Sequence, residues 1–195
     1  MFCVFPPFSN QELQIAVNLW IDNNTSALET YGEINTWDVS FINDMSGIFM
    51  NQETFNGDIS SWDVSNVISM NRTFMGASSF SGDISNWNVS NVTDMEQLFN
   101  SAQNFNADIS NWDVSSVTMM RGLFVGASTF NQNLSEWNTS SVTNTEYMFQ
   151  GAYDFNGDIS TWDVSNIENF ATMFQEATSF NQDLSSWDVS SAVDM

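Results

Sequence analysis

The sequence predicts an α/β repeat solenoid, with one short parallel strand and one short helical segment in each 25-residue coil and a helix capping its N-terminal end. Three observations predict it. Trp37, Trp62, Trp87, Trp112, Trp137, Trp162 and Trp187 recur every 25 residues without an insertion, the mark of stacked supersecondary units. The apolar positions inside one unit switch from alternate spacing to helical spacing. Finally, 42% of the 195 residues are hydrophobic and 14% aromatic, enough apolar surface to offset the entropy of ordering the chain.

Residues 1–30 form the N-terminal segment. Within it, Leu13, Ala16, Val17 and Trp20 share one helical face behind Ser9 and Asn10, with Glu12 in the first turn, which predicts a capping helix over about 10–22. Met1 to Ser9 lacks a positive stretch and holds Pro6 and Pro7, so it does not read as a secretory signal, and no stretch is long enough for direct membrane insertion.

Residues 31–195 form the solenoid, roughly seven coils of 25 residues with the last one truncated. In the unit that starts at Phe55, Trp62 and Val64 alternate with Ser61, Asp63 and Ser65, the period of a half-buried strand. Strands stacked about 4.8 Å apart would make one continuous parallel sheet. Val67, Met70, Phe74 and Ala77 then follow at the spacing of a one-sided helix, which the glycine at Gly76, Gly126 and Gly151 limits to about two turns. The tryptophan column and the Met70, Phe74, Met95 and Phe99 stripe are expected in the core rather than as sugar platforms or a cofactor site. At the far end, Trp187, Val189, Ala192, Val193 and Met195 would leave an apolar coil facing water, as though further repeats or a cap followed.

Composition narrows function. There are 24 acidic residues against Arg72 and Arg121 alone, a net charge of −22, which excludes nucleic acid and anionic membranes as partners. His is absent and Cys3 is the only cysteine, which removes the usual zinc ligands, internal disulfides and Ser-His-Asp chemistry. Paired carboxylates remain as the one catalytic option.

The pattern D-I-S-x-W-D-V-S-x-V-x-x-M-x-x-x-F-x-x-A-x-x-F-N, led in by ELQIAVNLWIDN and YGEINTWDVS, resembles the BspA-like leucine-rich-repeat surface proteins of mycoplasmas, other bacteria and some algae, over residues 10 to 195. The resemblance implies a leucine-rich-repeat-like solenoid in an extracellular or cell-surface protein of adhesion or recognition, without catalytic residues to carry over. It departs from the ordinary repeat in placing Val67, Val92, Val117 and Val142 where an asparagine ladder would run, so that ladder is expected to be absent. Thr139 and Thr145 replace the usual Val and Met, and looser packing is expected there.

Two acidic columns are the candidate sites. Asp38, Asp63, Asn88, Asp113, Asn138, Asp163 and Asp188 would lie on the exposed side of the strands as a ligand-facing surface, with Asn relieving the repulsion between stacked carboxylates. Asp58, Asp83, Asp108, Asn133, Asp158 and Asp183 stand at the loop-to-strand corner, where a turn-capping role is expected; the alternative is a calcium site built from Asp58, Asp83, Asp108, Asp158 and Asp183. The column Ser60, Ser85, Ser110, Ser135, Ser160 and Ser185 is expected to bond backbone from coil to coil. The leading functional expectation is a non-catalytic surface module that needs no cofactor and binds a protein or glycan through the acidic, Ser/Asn-rich face. A calcium-stabilised solenoid, a carbohydrate-active enzyme using paired carboxylates, and acidity serving only solubility in salt are the competitors.

Overall fold

The computed structural model describes residues 5–195; the first residues of the N-terminal segment, Cys3 among them, lie outside it. Helix α1 spans Asn10–Asp22 and helix α2 Asn24–Tyr31. The Ser9 hydroxyl accepts the Glu12 N–H, and the Glu12 carboxylate accepts the Phe8 N–H at 2.7 Å, so two orphan donors of the helix start are satisfied reciprocally. Asn23 ends α1 and caps α2, accepting the Ser26 N–H. Leu13, Ala16 and Val17 are buried against the first coil. No helix among the described residues is long and apolar enough to cross a membrane.

The coils correct the strand-and-helix expectation. Among the described residues only 13% are helical and 4% strand-like, with no sheet. The parallel pairing consists of isolated bridges that run from Asp44–Ser69 through Ser69–Asp94 and onward to Asn169–Asp194, several residues past the Trp-Asp-Val segment. The reason lies in where the backbone donors go. At that corner the Trp62 N–H bonds Ile59 O, the Val67 N–H bonds Val64 O, and the Ser60 and Ser65 N–H groups bond the carboxylates of Asp58 and Asp63. Trp62 and Val64 point inward and Asp63 outward, so the alternation is real, yet the local turns consume donors that a ladder would need.

The stripe read as a helix is a ribbon of successive β-turns. The Thr73, Met75 and Ala77 N–H groups bond Met70, Arg72 and Phe74 O, each three residues back. Arg72 and Gly76 have φ of +56° and +73°, the third-position value of type II turns, which ends any right-handed helix. The remaining N–H groups leave the coil. Met70, Arg72, Phe74 and Gly76 donate to Asp94, Glu96, Leu98 and Asn100 O of the next coil at 2.7–2.9 Å. The same four bonds recur at each of the next junctions, for example Met120, Gly122, Phe124 and Gly126 onto Asn144, Glu146, Met148 and Gln150. One N–H on either side of the ribbon donates backward, as Thr93 does to Ile68 O and Asn104 to Ser78 O.

Forward donation leaves the first coil with carbonyls and no coil before it. Helix α1 supplies the donors, because the Asn10 side-chain amide bonds Asp44 and Ser46 O and the Gln14 amide bonds Ile48 O. At the other end Phe170 donates to Asp194 O, and the last coil opens an apolar hollow of about 620 Å³ lined by Phe170, Met173, Phe174, Leu184, Trp187, Val189 and Met195.

Three aromatic columns fill the interior. Phe74 and Phe80 lie 4.2 Å apart within a coil, and Phe74 and Phe99 5.6 Å apart between coils, near parallel, an offset-stacked geometry. Each indole N–H from Trp62 to Trp187 donates to a carbonyl of the previous coil, from Trp62 onto Ile34 O to Trp187 onto Ile159 O, at 2.8–3.2 Å. These buried polar hydrogens thereby cost nothing and fix the register of stacking. An asparagine ladder is present after all, moved to the Phe-Asn corner, where the Asn131, Asn156 and Asn181 N–H groups bond the Oδ1 of Asn106, Asn131 and Asn156. Thr139 and Thr145 do not loosen their coil. Both are buried and donate hydroxyl bonds forward to Asp163 and Asn169 O.

Among the glycines, Gly157 meets the neighbouring coil most closely, since an added Cβ would lie 2.0 Å from the Gln132 carbonyl oxygen; the Leu134 N–H to Asp158 O bond joins the two coils beside it. At Gly82, in the same register, only the Phe80 ring lies within 3.0 Å of a Cβ. Gly157→Ala is therefore expected to lower stability by about 1–3 kcal/mol, and Gly82→Ala by clearly less, in thermal and urea melts.

Candidate functional site

Both acidic columns fold into the same local device. In the ligand-facing column expected from the sequence, Asp38, Asn88, Asp113, Asn138 and Asp163 each accept the N–H and hydroxyl of the serine two residues on through Oδ1, and Asp63 and Asp188 accept the N–H of Ser65 and Ser190. The corner column does likewise, with Asp58, Asp83 and Asp158 holding both groups and Asp108, Asn133 and Asp183 the N–H of Ser110, Ser135 and Ser185. These are Asx turns, and Asn serves as well as Asp because only an acceptor oxygen is needed. The serine column thus bonds within its coil rather than between coils. Coil-to-coil bonds at the corner come from its neighbours, such as the Asn66 amide on Ser40 O and the Thr161 hydroxyl on Ser135 O.

A third Asx register escaped the sequence reading. Asp44, Asp94, Asn144 and Asn169 accept the N–H groups of Ser46, Glu96, Glu146 and Ala171 at the start of the ribbon. The signal was weak, because Ser69 and Met119 interrupt the column.

The turn bonds set the electrostatics. At Asp83, Asp113 and Asp163 the serine hydroxyl and then its N–H hold the carboxyl below the ordinary 3.8, and at Asp58 and Asp158 the N–H is the larger cause. Repulsion from the neighbouring coil acts on Asp83 and Asp108 but is the smallest influence on each. Asp58, Asp83, Asp108, Asp158 and Asp183 line up as turn acceptors, one per coil, and no group of three or more His, Cys, Asp or Glu side chains is arranged to hold a metal ion among the described residues.

Outward residues of the ribbon form a different surface. Arg121 lies between the coils above and below it, 3.1 Å from the Glu96 carboxylate and 2.8 Å from that of Glu146, and its guanidinium stands 5.3 Å from the Tyr147 ring centre. The Glu146 contact raises the Arg121 pKa, partly offset by burial. Arg72 donates to Gln97 Oε1 at 2.7 Å and reaches Glu96 at 4.0 Å. Both cations of the chain thus share this face with Tyr147.

Two stretches of the chain, residues 20–121 and 103–195, match the family model described as Mycoplasma protein of unknown function, DUF285. The chain belongs to this family. The tandem match agrees with the 25-residue period and with a fold in which every coil repeats one set of turns. Comparison with curated proteins and with solved structures returns no match.

Since folding depresses the aspartate pKa values, the turns contribute stability that is fully present above about pH 4 and is lost as pH falls through the folded values. Relief of charge repulsion on protonation acts in the opposite direction, but repulsion is the smaller influence on these groups. Thermal melts at constant ionic strength are expected to show a falling Tm from about pH 4 downward, and no displacement between calcium and chelator at neutral pH.

Proposed function

We propose that the chain is a non-catalytic recognition module of the BspA-like kind, carried at a cell surface, whose binding face is the outward side of the turn ribbon. The observation that supports this reading is the distribution of variation among coils that are otherwise alike. The corner repeats itself, with serine at Ser60, Ser85, Ser110, Ser135, Ser160 and Ser185 and only Asp or Asn two residues earlier. The outward ribbon register of Arg72 runs Gly47, Arg72, Gln97, Gly122, Tyr147 and Thr172, and that of Ser78 runs Glu53, Ser78, Gln103, Ser128, Tyr153 and Thr178. Side chains at the corner are held to one type, whereas these differ from coil to coil even where Ser78, Ser128 and Thr178 bond a carbonyl of the coil before, and they include Arg and Tyr, the residues most able to anchor an interface.

Repetition then works by summing modest contacts along one face. The column of Asp63, Asp113 and Asp163 is the rival face, with each Oδ1 held in its turn. No coil carries an insertion that would set an active-site pair apart, and enzymatic function is not part of the proposal. The test is binding of the purified chain to arrays of immobilised proteins and oligosaccharides. Arg121→Ala and Tyr147→Ala are expected to weaken capture at least tenfold, while Asp63→Asn, Asp113→Asn and Asp163→Asn together, which keep the turns and remove three charges, leave it unchanged. The reverse pattern would transfer the binding face to the column of Asp63, Asp113 and Asp163.

A further inference from the structure

The ribbon face is not uniformly convex. A hollow of about 540 Å³ opens across the third to sixth coils, bordered by Gln103, Ser128, Gln150, Tyr153 and Glu176 over a floor of Gly126 and Gly151. Its origin lies in a single register. Asn51 and Glu176 stand near the ends of the solenoid, Gly76 and Ser101 follow Asn51, and Gly126 and Gly151 lie side by side, with a Cβ at Gly151 only 3.7 Å from the Gly126 backbone. Two neighbouring coils therefore lack side chains where the ribbon turns outward. The Tyr153 ring, 48% exposed, stands beside the gap. Its hydroxyl and the Gln103 amide engage no protein group among the described residues, whereas the Gln150 amide is braced on Gln175 at 2.7 Å.

The geometry points to a site for a neutral sugar. This inference rests on the recognition reading above and names its ligand class. The volume suits a small molecule of one to three rings. The border supplies an aromatic face for the C–H side of a pyranose and amide, hydroxyl and carboxylate groups for its hydroxyls. No cation borders the hollow and the chain carries a net −22, which disfavours phosphates, sulfated sugars and sialylated sugars. Val125 is the only aliphatic side chain on the border, which disfavours a lipid, and no acidic pair faces across it, so binding without hydrolysis follows.

The experiment is saturation-transfer NMR of this chain with a panel of neutral di- and trisaccharides built from hexoses and N-acetylhexosamines, at millimolar concentration. Tyr153→Ala removes the ring. Gly151→Asn fills the floor without forcing the backbone, since Asn51 holds φ of +60° in the same register. Asp113→Asn is the control, and the melt of each variant establishes that it is folded. The expected result is that at least one sugar binds the parent and the control alike and weakens tenfold or more in both hollow variants. A silent panel, or binding that survives both variants, overturns the inference. If the panel is silent while Arg121 and Tyr147 still govern capture of an immobilised protein, the sugar site fails and the recognition face stands; if both fail, the face falls with it.

Discussion

Everything in this fold depends on a directional hydrogen-bond ladder made by β-turns. Within each ribbon half of the N–H groups close turns and the other half point toward the following coil, four per junction. A coil is therefore a donor on one side and an acceptor on the other, and the two ends of a stack are chemically different. Helix α1 serves the acceptor end with side-chain amides from Asn10 and Gln14, which reproduce the spacing of backbone donors from a preceding coil. The aromatic columns and the indole bonds add apolar burial and a fixed register, but without the ladder they would specify neither the direction nor the spacing of stacking.

The same ladder explains which parts of the fold could be read in the sequence. The 25-residue period, the buried Trp, Met and Phe positions and the helical face of Leu13, Ala16 and Val17 were legible because burial leaves a direct trace in residue type. The secondary structure of the coil was not. A chain of β-turns places Met70, Phe74 and Ala77 inward with the same three- and four-residue spacing as a helix, so periodicity alone cannot separate the two. The signal that does separate them is glycine at two points four residues apart, as at Gly122 and Gly126, each needing a positive φ. Likewise Trp62 and Val64 alternate as strand residues do, but the Asp-x-Ser turns on either side take the donors that a sheet would use. The acidic columns were found as columns from their period, and their turn bonds were foreseeable at the corner, where Asp precedes Ser by two. The same spacing in Asp63 and Ser65 carries the same meaning.

A division of labour follows along each coil. Corner residues are committed to turns and to the serine they hold, and the interior is committed to stacking, so neither can change without loss of the repeat. The outward ribbon positions differ from coil to coil, although some, such as Ser78 and Ser128, bond the coil before, and there stand Arg121 between two glutamates, Tyr147 and Tyr153, and the glycine floor of the hollow. A scaffold that fixes its backbone by local turns can vary this face coil by coil, the property on which the proposed recognition role draws.

The ladder itself is measured most directly by amide hydrogen exchange on the folded chain. In the interior coils Arg72, Phe74 and Gly76, and their equivalents Gln97, Phe99 and Ser101, donate forward and should exchange slowly. The N–H groups of Thr172, Phe174 and Glu176 make no backbone bond among the described residues and should exchange fast, while Met173, Gln175 and Ala177, which close turns onto Phe170, Thr172 and Phe174, remain more protected than they are. Alternating protection of this kind is what a forward-donating turn ribbon predicts. Uniform protection through residues 172–177, as an internally bonded helix would give, would contradict it.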